Sequence, residues 1–118
     1  MFFSRDQIVL RIPVDSTAPD IRYLAEQLLV ELRRCRASGV VIDLSAVEVL
    51  GTAGFESLVD LVRGIAVSGS RAVVVGFQPG VAAALVDLDL DLRVLDTASS
   101  VEAGGSWLAA LKEDRGRR

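Results

Sequence analysis

Thr52 stands between two glycines, in Leu50-Gly51-Thr52-Ala53-Gly54, directly before the helical pattern that runs from Phe55 to Ala66. A hydroxyl in that position can accept a phosphoryl group. The first turn of a helix carries unpaired N–H groups and about half a positive charge. A phosphate there adds about −1.5 to −2 of charge. It would leave the fold intact and repel a partner docked over the helix start. Gly51 and Gly54 keep the backbone uncovered, so a partner or a kinase can come close. The plainer alternative is that Thr52 only caps the helix, a contribution of about 1 kcal/mol. Two more hydroxyls lie nearby, Ser45 in the preceding turn and Ser57 one turn on. Asp43 ends the run before the turn, and Glu56 follows on the helix.

Other chemistry is missing. The 118 residues contain no histidine, which removes the commonest general base and metal ligand. The only lysine is Lys112, near the C-terminal end, which opposes a phospho-receiver site built on an active-site lysine. No phosphate-binding loop and no Gly-x-Ser-x-Gly elbow is present. Asp87-Leu88-Asp89-Leu90-Asp91-Leu92 starts like a calcium loop. Its sixth position is Leu92 rather than glycine, and its twelfth is Ala98 rather than glutamate. That run reads as a solvated acidic edge, or else as a recognition edge for a basic partner. The formal net charge of −3 gives no electrostatic case for nucleic acid. No enzyme activity, metal or cofactor is expected.

The elements that must position Thr52 follow from periodicity. Val40-Val41-Ile42 ending in Asp43 reads as a strand buried on both faces. The helix after it sets Phe55, Leu58, Val59, Val62, Ile65 and Ala66 on one face. Ser68-Gly69-Ser70 closes it, and Ala72 to Gly76 is another apolar strand. Upstream, Ile8 to Val14 reads as the first strand, with Pro13 marking an edge or an end. Thr17 caps a helix with Asp20 in the capping-box place. That helix runs to about Ala37 on a stripe of Ile21, Leu24, Leu28, Leu32 and Cys35. Downstream, Pro79 opens a third helix with Ala82, Leu85 and Val86 inside. Val94-Leu95 is a short last strand. Ser99 and Glu102 form a second capping box before a helix carrying Val101, Leu108 and Leu111. Gly104-Gly105 weakens the start of that helix by about 1 kcal/mol per glycine.

Strands alternating with helices predict an α/β fold with a mostly parallel four- to five-stranded sheet and about four helices. A hydrophobic fraction of 51% is enough for one core. One domain is expected over residues 1–112, with a charged flexible tail over 113–118. The single cysteine, Cys35, excludes an internal disulfide and is expected to pack. Polar residues follow Met1-Phe2-Phe3 at once, so no signal peptide is read, and no apolar run spans a bilayer. The cytoplasm is the expected location.

The segment VVIDLSAVEVLGTAGFESL resembles the anti-sigma-factor-antagonist (STAS) pattern: an apolar strand, Asp, Leu, Ser, then an acceptor at a helix start. VVVGFQPGVAAALVDLDLDL resembles the Gly-x-x-Pro-x-Val-Ala-x-x-Leu-Val segment of the stressosome scaffold and co-antagonist branch. The resemblance covers about Ile8 to Leu111. It implies a non-enzymatic STAS protein of bacterial stress signalling that regulates transcription by partner switching. It also implies phosphorylation at Thr52 by a histidine-kinase-like ATPase, release of that kinase or anti-sigma factor, and reversal by a PP2C-type phosphatase. The implied partner surface joins Asp43 and the Ser45–Leu50 turn to Gly51, Thr52, Ala53, Gly54, Glu56 and Ser57. The Phe77–Gly80 loop, with Gln78 and Pro79, completes it. The alternative is an unphosphorylated STAS subunit that assembles with itself, with other STAS proteins or with a transporter. Gly51 favours the alternative, because the family has Asp there. Ala84 replaces a second family Thr, Asp89 replaces a family Gly, and the N-terminus reads as shorter by one strand.

Overall fold

The computed structural model describes residues 1–4 and 6–116, with the side chains of residues 115 and 116 left aside. Its elements are β1 (Phe2–Ser4), β2 (Gln7–Arg11), α1 (Ala18–Cys35), β3 (Gly39–Asp43), α2 (Gly51–Val67), β4 (Arg71–Val75), α3 (Pro79–Asp87), a 3₁₀ turn (Leu92–Val94), β5 (Thr97–Ala98) and α4 (Val101–Gly116). The sheet runs β1-β2-β3-β4-β5 in space as in sequence. Among the described residues, only the β1–β2 pair is antiparallel. The expected α/β architecture is therefore observed, with five strands and four α-helices among the described residues.

One face of the sheet carries α1, α2 and α3. Ile8, Leu10, Val40, Ile42 and Val74 meet Ile21, Leu28, Leu58, Leu61, Ile65 and Leu85 there. The opposite residues of the same strands, Val9, Val41, Val73 and Val75, meet Leu108 of α4. Both faces are covered, which is why β3 and β4 read as unbroken apolar runs. Gly104 lets α4 lie close. A Cβ there would stand 2.8 Å from Val75 Cγ1 and 3.0 Å from Val73 Cγ1.

Several expectations change. The N-terminus is not shorter by one strand, since Phe2–Ser4 pairs with Gln7–Val9 as an edge strand. The first strand ends at Arg11, and Pro13 marks its end rather than a sheet edge. Val94-Leu95 is not a strand. The Asp91 carboxylate accepts from the Arg93 N–H at 3.0 Å and folds Leu92–Val94 into the 3₁₀ turn, which moves β5 on to Thr97–Ala98. Cys35 ends α1 in an exposed position, because the stripe turns away from the core after Leu32. In α3 the inner residues are Val81 and Leu85, and Val86 faces outward. In α2 Leu61 is buried while Ala66 is exposed. Ser100, not Ser99, caps α4 by accepting from the Ala103 N–H at 3.1 Å. The α4 helix passes through Gly104-Gly105 and on to Gly116, so residues 113–116 of the expected tail continue it. Residues 117–118 of that tail lie outside the described residues.

The capping box on α1 forms as the sequence predicts. The Thr17 N–H donates to Asp20 Oδ2 at 2.8 Å, and the Asp20 N–H donates to Thr17 Oγ1 at 3.4 Å. Thr17's N–H, then its hydroxyl, hold the Asp20 carboxyl below its ordinary value of 3.8. A lowered folded-state value means stability that is complete above the unfolded value and lost as pH falls through the folded one. Thermal melts of Asp20→Asn should therefore lie below wild type at neutral pH and converge on it below pH 3.8. An unchanged gap between the two melts across that range would contradict the box.

Candidate functional site

The sheet's parallel strands end together at one rim, and the turn after β3 is fixed there from three sides. Asp43 is 3% exposed, yet its carboxylate faces the turn. Its Oδ1 accepts from the Ser45 N–H at 2.9 Å. Its Oδ2 accepts from Arg11 Nε at 3.3 Å, which ties in the end of β2. The Leu44 N–H donates to the Val75 carbonyl at 2.9 Å, which ties in β4. Gln78 Nε2, at the start of α3, donates to the Ser45 carbonyl at 2.9 Å. A buried charge held by hydrogen bonds and a neighbouring guanidinium is satisfied rather than stranded.

Gly76 makes this convergence possible. Its φ is +75°, a left-handed value that costs other residues energy. A Cβ on Gly76 would meet Ser45 N at 3.0 Å and Asp43 Oδ1 at 3.1 Å. The site therefore needs a bare backbone here. Sequence reasoning gave no role to Gly76 itself or to Arg11. The available signal was a glycine between an apolar run and Gln78-Pro79.

The start of α2 lies beside this turn. Leu50 precedes the helix and Gly51, its first residue, has a φ of +68°. The helix has no side-chain cap and no acidic residue in its first turn. Thr52 is exposed in that turn. The cap-only reading of Thr52 is thus not met, because the capping position belongs to Leu50. The turn's open N–H groups and their partial positive charge remain for an anion.

The predicted site residues separate into two groups. Ser45, Thr52, Ala53, Glu56 and Pro79 are exposed, and Gly51 and Gln78 are half-buried. Of these seven, Gln78 is tied to Ser45 through its Nε2–carbonyl bond, and Gly51, Thr52, Ala53 and Glu56 belong to the start of α2. Gly54 and Ser57 are buried on the inner face of α2, as is Asp43 at the strand end. A Cβ on Gly54 would lie 3.0 Å from Leu50 Cδ1, so this glycine seats the helix start rather than opening it. Ala84 is exposed on α3, and Asp89 takes a φ of +59° where the helix ends. The acidic run divides in the same way, with Asp87, Asp89 and Asp91 exposed and Leu90 and Leu92 packed on the core. Among the described residues, no group of three or more His, Cys, Asp or Glu could hold a metal ion, and no helix is long and apolar enough to cross a membrane.

The STAS domain model matches residues 3–104 of the chain. No curated protein matches the sequence. A serine-to-glutamate variant of RsbS from Moorella thermoacetica superposes with a TM-score of 0.80 at 28% identity, covering 95% of each chain. A chain of the stressosome, described as a signal integration and transduction hub, gives 0.78 at 28% identity, covering 94% of this chain and 96% of that one. A candidate anti-sigma factor antagonist from Thermotoga maritima gives 0.68 at 17% identity, covering 97% and 92%. That last likeness concerns the fold alone.

Proposed function

Because the chain belongs to the STAS domain family, we propose that it is a non-enzymatic regulatory protein of bacterial stress signalling, acting by partner switching with Thr52 as phospho-acceptor. One observation carries the reading. Thr52 is exposed in the first turn of a helix that has neither a side-chain cap nor an acidic residue to neutralise it. A phosphate on Thr52 would face unpaired N–H groups and be stabilised by them. The partner is a histidine-kinase-like ATPase or an anti-sigma factor that docks on the rim of Ser45, Ala53, Glu56, Gln78 and Pro79. Phosphorylation would place about two negative charges in the middle of that contact. A PP2C-type phosphatase would restore binding. The likeness to RsbS and to the stressosome chain supports a regulatory role of this kind.

The test is to map phosphorylation on protein from its native host before and after stress. The tryptic peptide Ala37–Arg63 reports Thr52 directly. Phosphate on Thr52 that changes with stress is the expected result. Thr52→Glu should then weaken kinase binding by about tenfold or more, which corresponds to about 1.4 kcal/mol. A well-covered peptide that stays unmodified in both states would sink the switch. The second reading, an unphosphorylated STAS subunit of a larger assembly, is favoured by Gly51, which leaves no carboxylate beside Thr52.

A further inference from the structure

Val86-Asp87-Leu88-Asp89-Leu90-Asp91-Leu92 alternates apolar and acidic residues, and the fold uses only part of its apolar set. Leu90 and Leu92 turn inward onto the core. Val86 and Leu88, and Val94 beyond them, stay outside, at 59%, 51% and 53% exposed. Single exposed apolar residues need no explanation, but three so close together beside an open hollow do. Their exposure follows from the length of α3. It ends at Asp87 after nine residues, whereas α2 runs for seventeen. Asp89 turns the chain at a φ of +59°, and the Leu90 N–H donates back to the Leu85 carbonyl at 3.1 Å. The connection to β5 then brings only Leu90, Asp91 and Val94 to the hollow on the outer flank of α2.

That hollow has a volume of about 250 Å³, and Phe55, Val59, Leu90 and Val94 supply its apolar lining. Phe55 is buried, Val59 and Leu90 are half-buried and Val94 is exposed. The volume lies below the roughly 300–1,000 Å³ of small-molecule sites. It suits an apolar side chain carried by another protein. Glu56, Asp60 and Asp91 border the same hollow, against one cation, Arg63. Asp91 is neutralised by Arg93 through two bonds, of 3.0 and 3.2 Å. Among the described residues, Glu56, Asp60, Asp87 and Asp89 enter no ion pair. The open charge around the hollow is therefore negative.

We infer that this hollow is a docking site for a basic amphipathic segment of another protein. One large apolar side chain enters between Val59, Leu90 and Val94. Arg or Lys residues on either side of it face Glu56, Asp60 and Asp89. An amphipathic helix laid in a groove binds in this way, through a few apolar anchors with charges beside them. The sign of the charge decides against other occupants. A nucleic acid or an anionic lipid surface would be repelled by these carboxylates. A neutral apolar segment would cover them without giving them partners, which costs energy. The surface lies further along α2 than Thr52 and shares only Glu56 with the docking residues proposed above. The inference therefore stands whether or not Thr52 is phosphorylated.

NMR titration of the isotopically labelled chain tests it. The probe is a synthetic amphipathic helix of leucine and lysine, and the control is its leucine–glutamate counterpart. The lysine peptide should shift the amides of Glu56–Arg63 and Leu88–Val94. Raising the salt from about 50 to about 300 mM should weaken it at least threefold. The glutamate peptide should leave those amides in place. Val94→Lys should cut the affinity about tenfold, and Asp60→Asn and Asp89→Asn about threefold each with a flatter salt dependence. All three residues are exposed, and Asn tolerates the left-handed backbone of Asp89, so the variants should keep the wild-type circular dichroism and melting point. No binding of the lysine peptide up to about 1 mM would overturn the inference. Shifts centred elsewhere, equal binding of the glutamate peptide, or binding unchanged by Val94→Lys would overturn it as well. So would shifts at these amides that follow protein concentration without peptide, since a second copy would then hold the surface.

Discussion

Replacing Gly104 by valine should destabilise the fold by about 3 kcal/mol, the upper part of the range for overpacking a close contact. The β-carbon alone would overlap Val75 at 2.8 Å and Val73 at 3.0 Å. Both valines are buried strand residues that have no room to withdraw. The helix must then lift from the sheet, and Leu108 loses its seat in the second core. Helix propensity pushes the other way, since most residues favour a helix over glycine by up to about 1 kcal/mol. The steric term is larger and sets the sign. Gly80 separates the two effects. It lies in α3 with nothing within 4 Å of an added Cβ, so Gly80→Ala gains propensity without a clash. Urea titrations should show Gly104→Val well below wild type and Gly80→Ala slightly above it. Gly104→Val at or above wild type would mean that α4 does not rest on the sheet as described.

Gly76→Val should have an effect of similar size with a different consequence. A branched residue at a φ of +75° costs about 1–3 kcal/mol in the backbone alone. The added carbon also meets the Ser45 backbone nitrogen at 3.0 Å, and backbone yields less readily than a side-chain tip. The Asp43–Ser45 hydrogen bond and the Gln78–Ser45 bond sit at that point and should be displaced together. The expected result is a loss of about 3 kcal/mol in stability. It should come with amide shift changes centred on Ser45 and Gln78, which follow β3 and β4 at the rim. Variants of Gly104 should leave those two amides in place. Wild-type shifts at both residues in Gly76→Val would show that the rim does not depend on this glycine.

The contrast between these residues explains what was legible in the sequence. Val40–Asp43 and the α2 helix were readable because burial on two faces produces a continuous apolar run, and burial on one face produces a helical stripe. The Thr17–Asp20 box was readable because both of its hydrogen bonds are local. The β1 strand was not, since three residues are too few to show alternation and their only sheet partner is β2. The Val94 region misled because a β-branched residue suggests a strand, while a local carboxylate–amide bond decides for a 3₁₀ turn. Cys35 misled because a stripe says which residues face one way but not where the core beneath them stops. At the site, Thr52, Ser45 and Asp43 were named from sequence. Arg11 and Gly76 were not, because each acts across the sheet on a residue more than thirty positions away. The exposure of Thr52 was foreseen for one of its two readings. The left-handed Gly51 before it, which gives the capping position to Leu50, was not.

The strand order also governs when each surface of the nascent chain is covered. Each strand finds its neighbour in the strand made just before it, so the sheet can grow by addition at one edge as the polypeptide leaves the ribosome. Its first face is covered in step, because α1, α2 and α3 emerge between the strands. Its second face has no such escort. Val9, Val41, Val73 and Val75 wait for Leu108 of α4, which follows all five strands in the chain. A chain stalled or cut before Val101 therefore presents an intact row of valines to the cell's chaperones and proteases. Completion of α4 hides that mark.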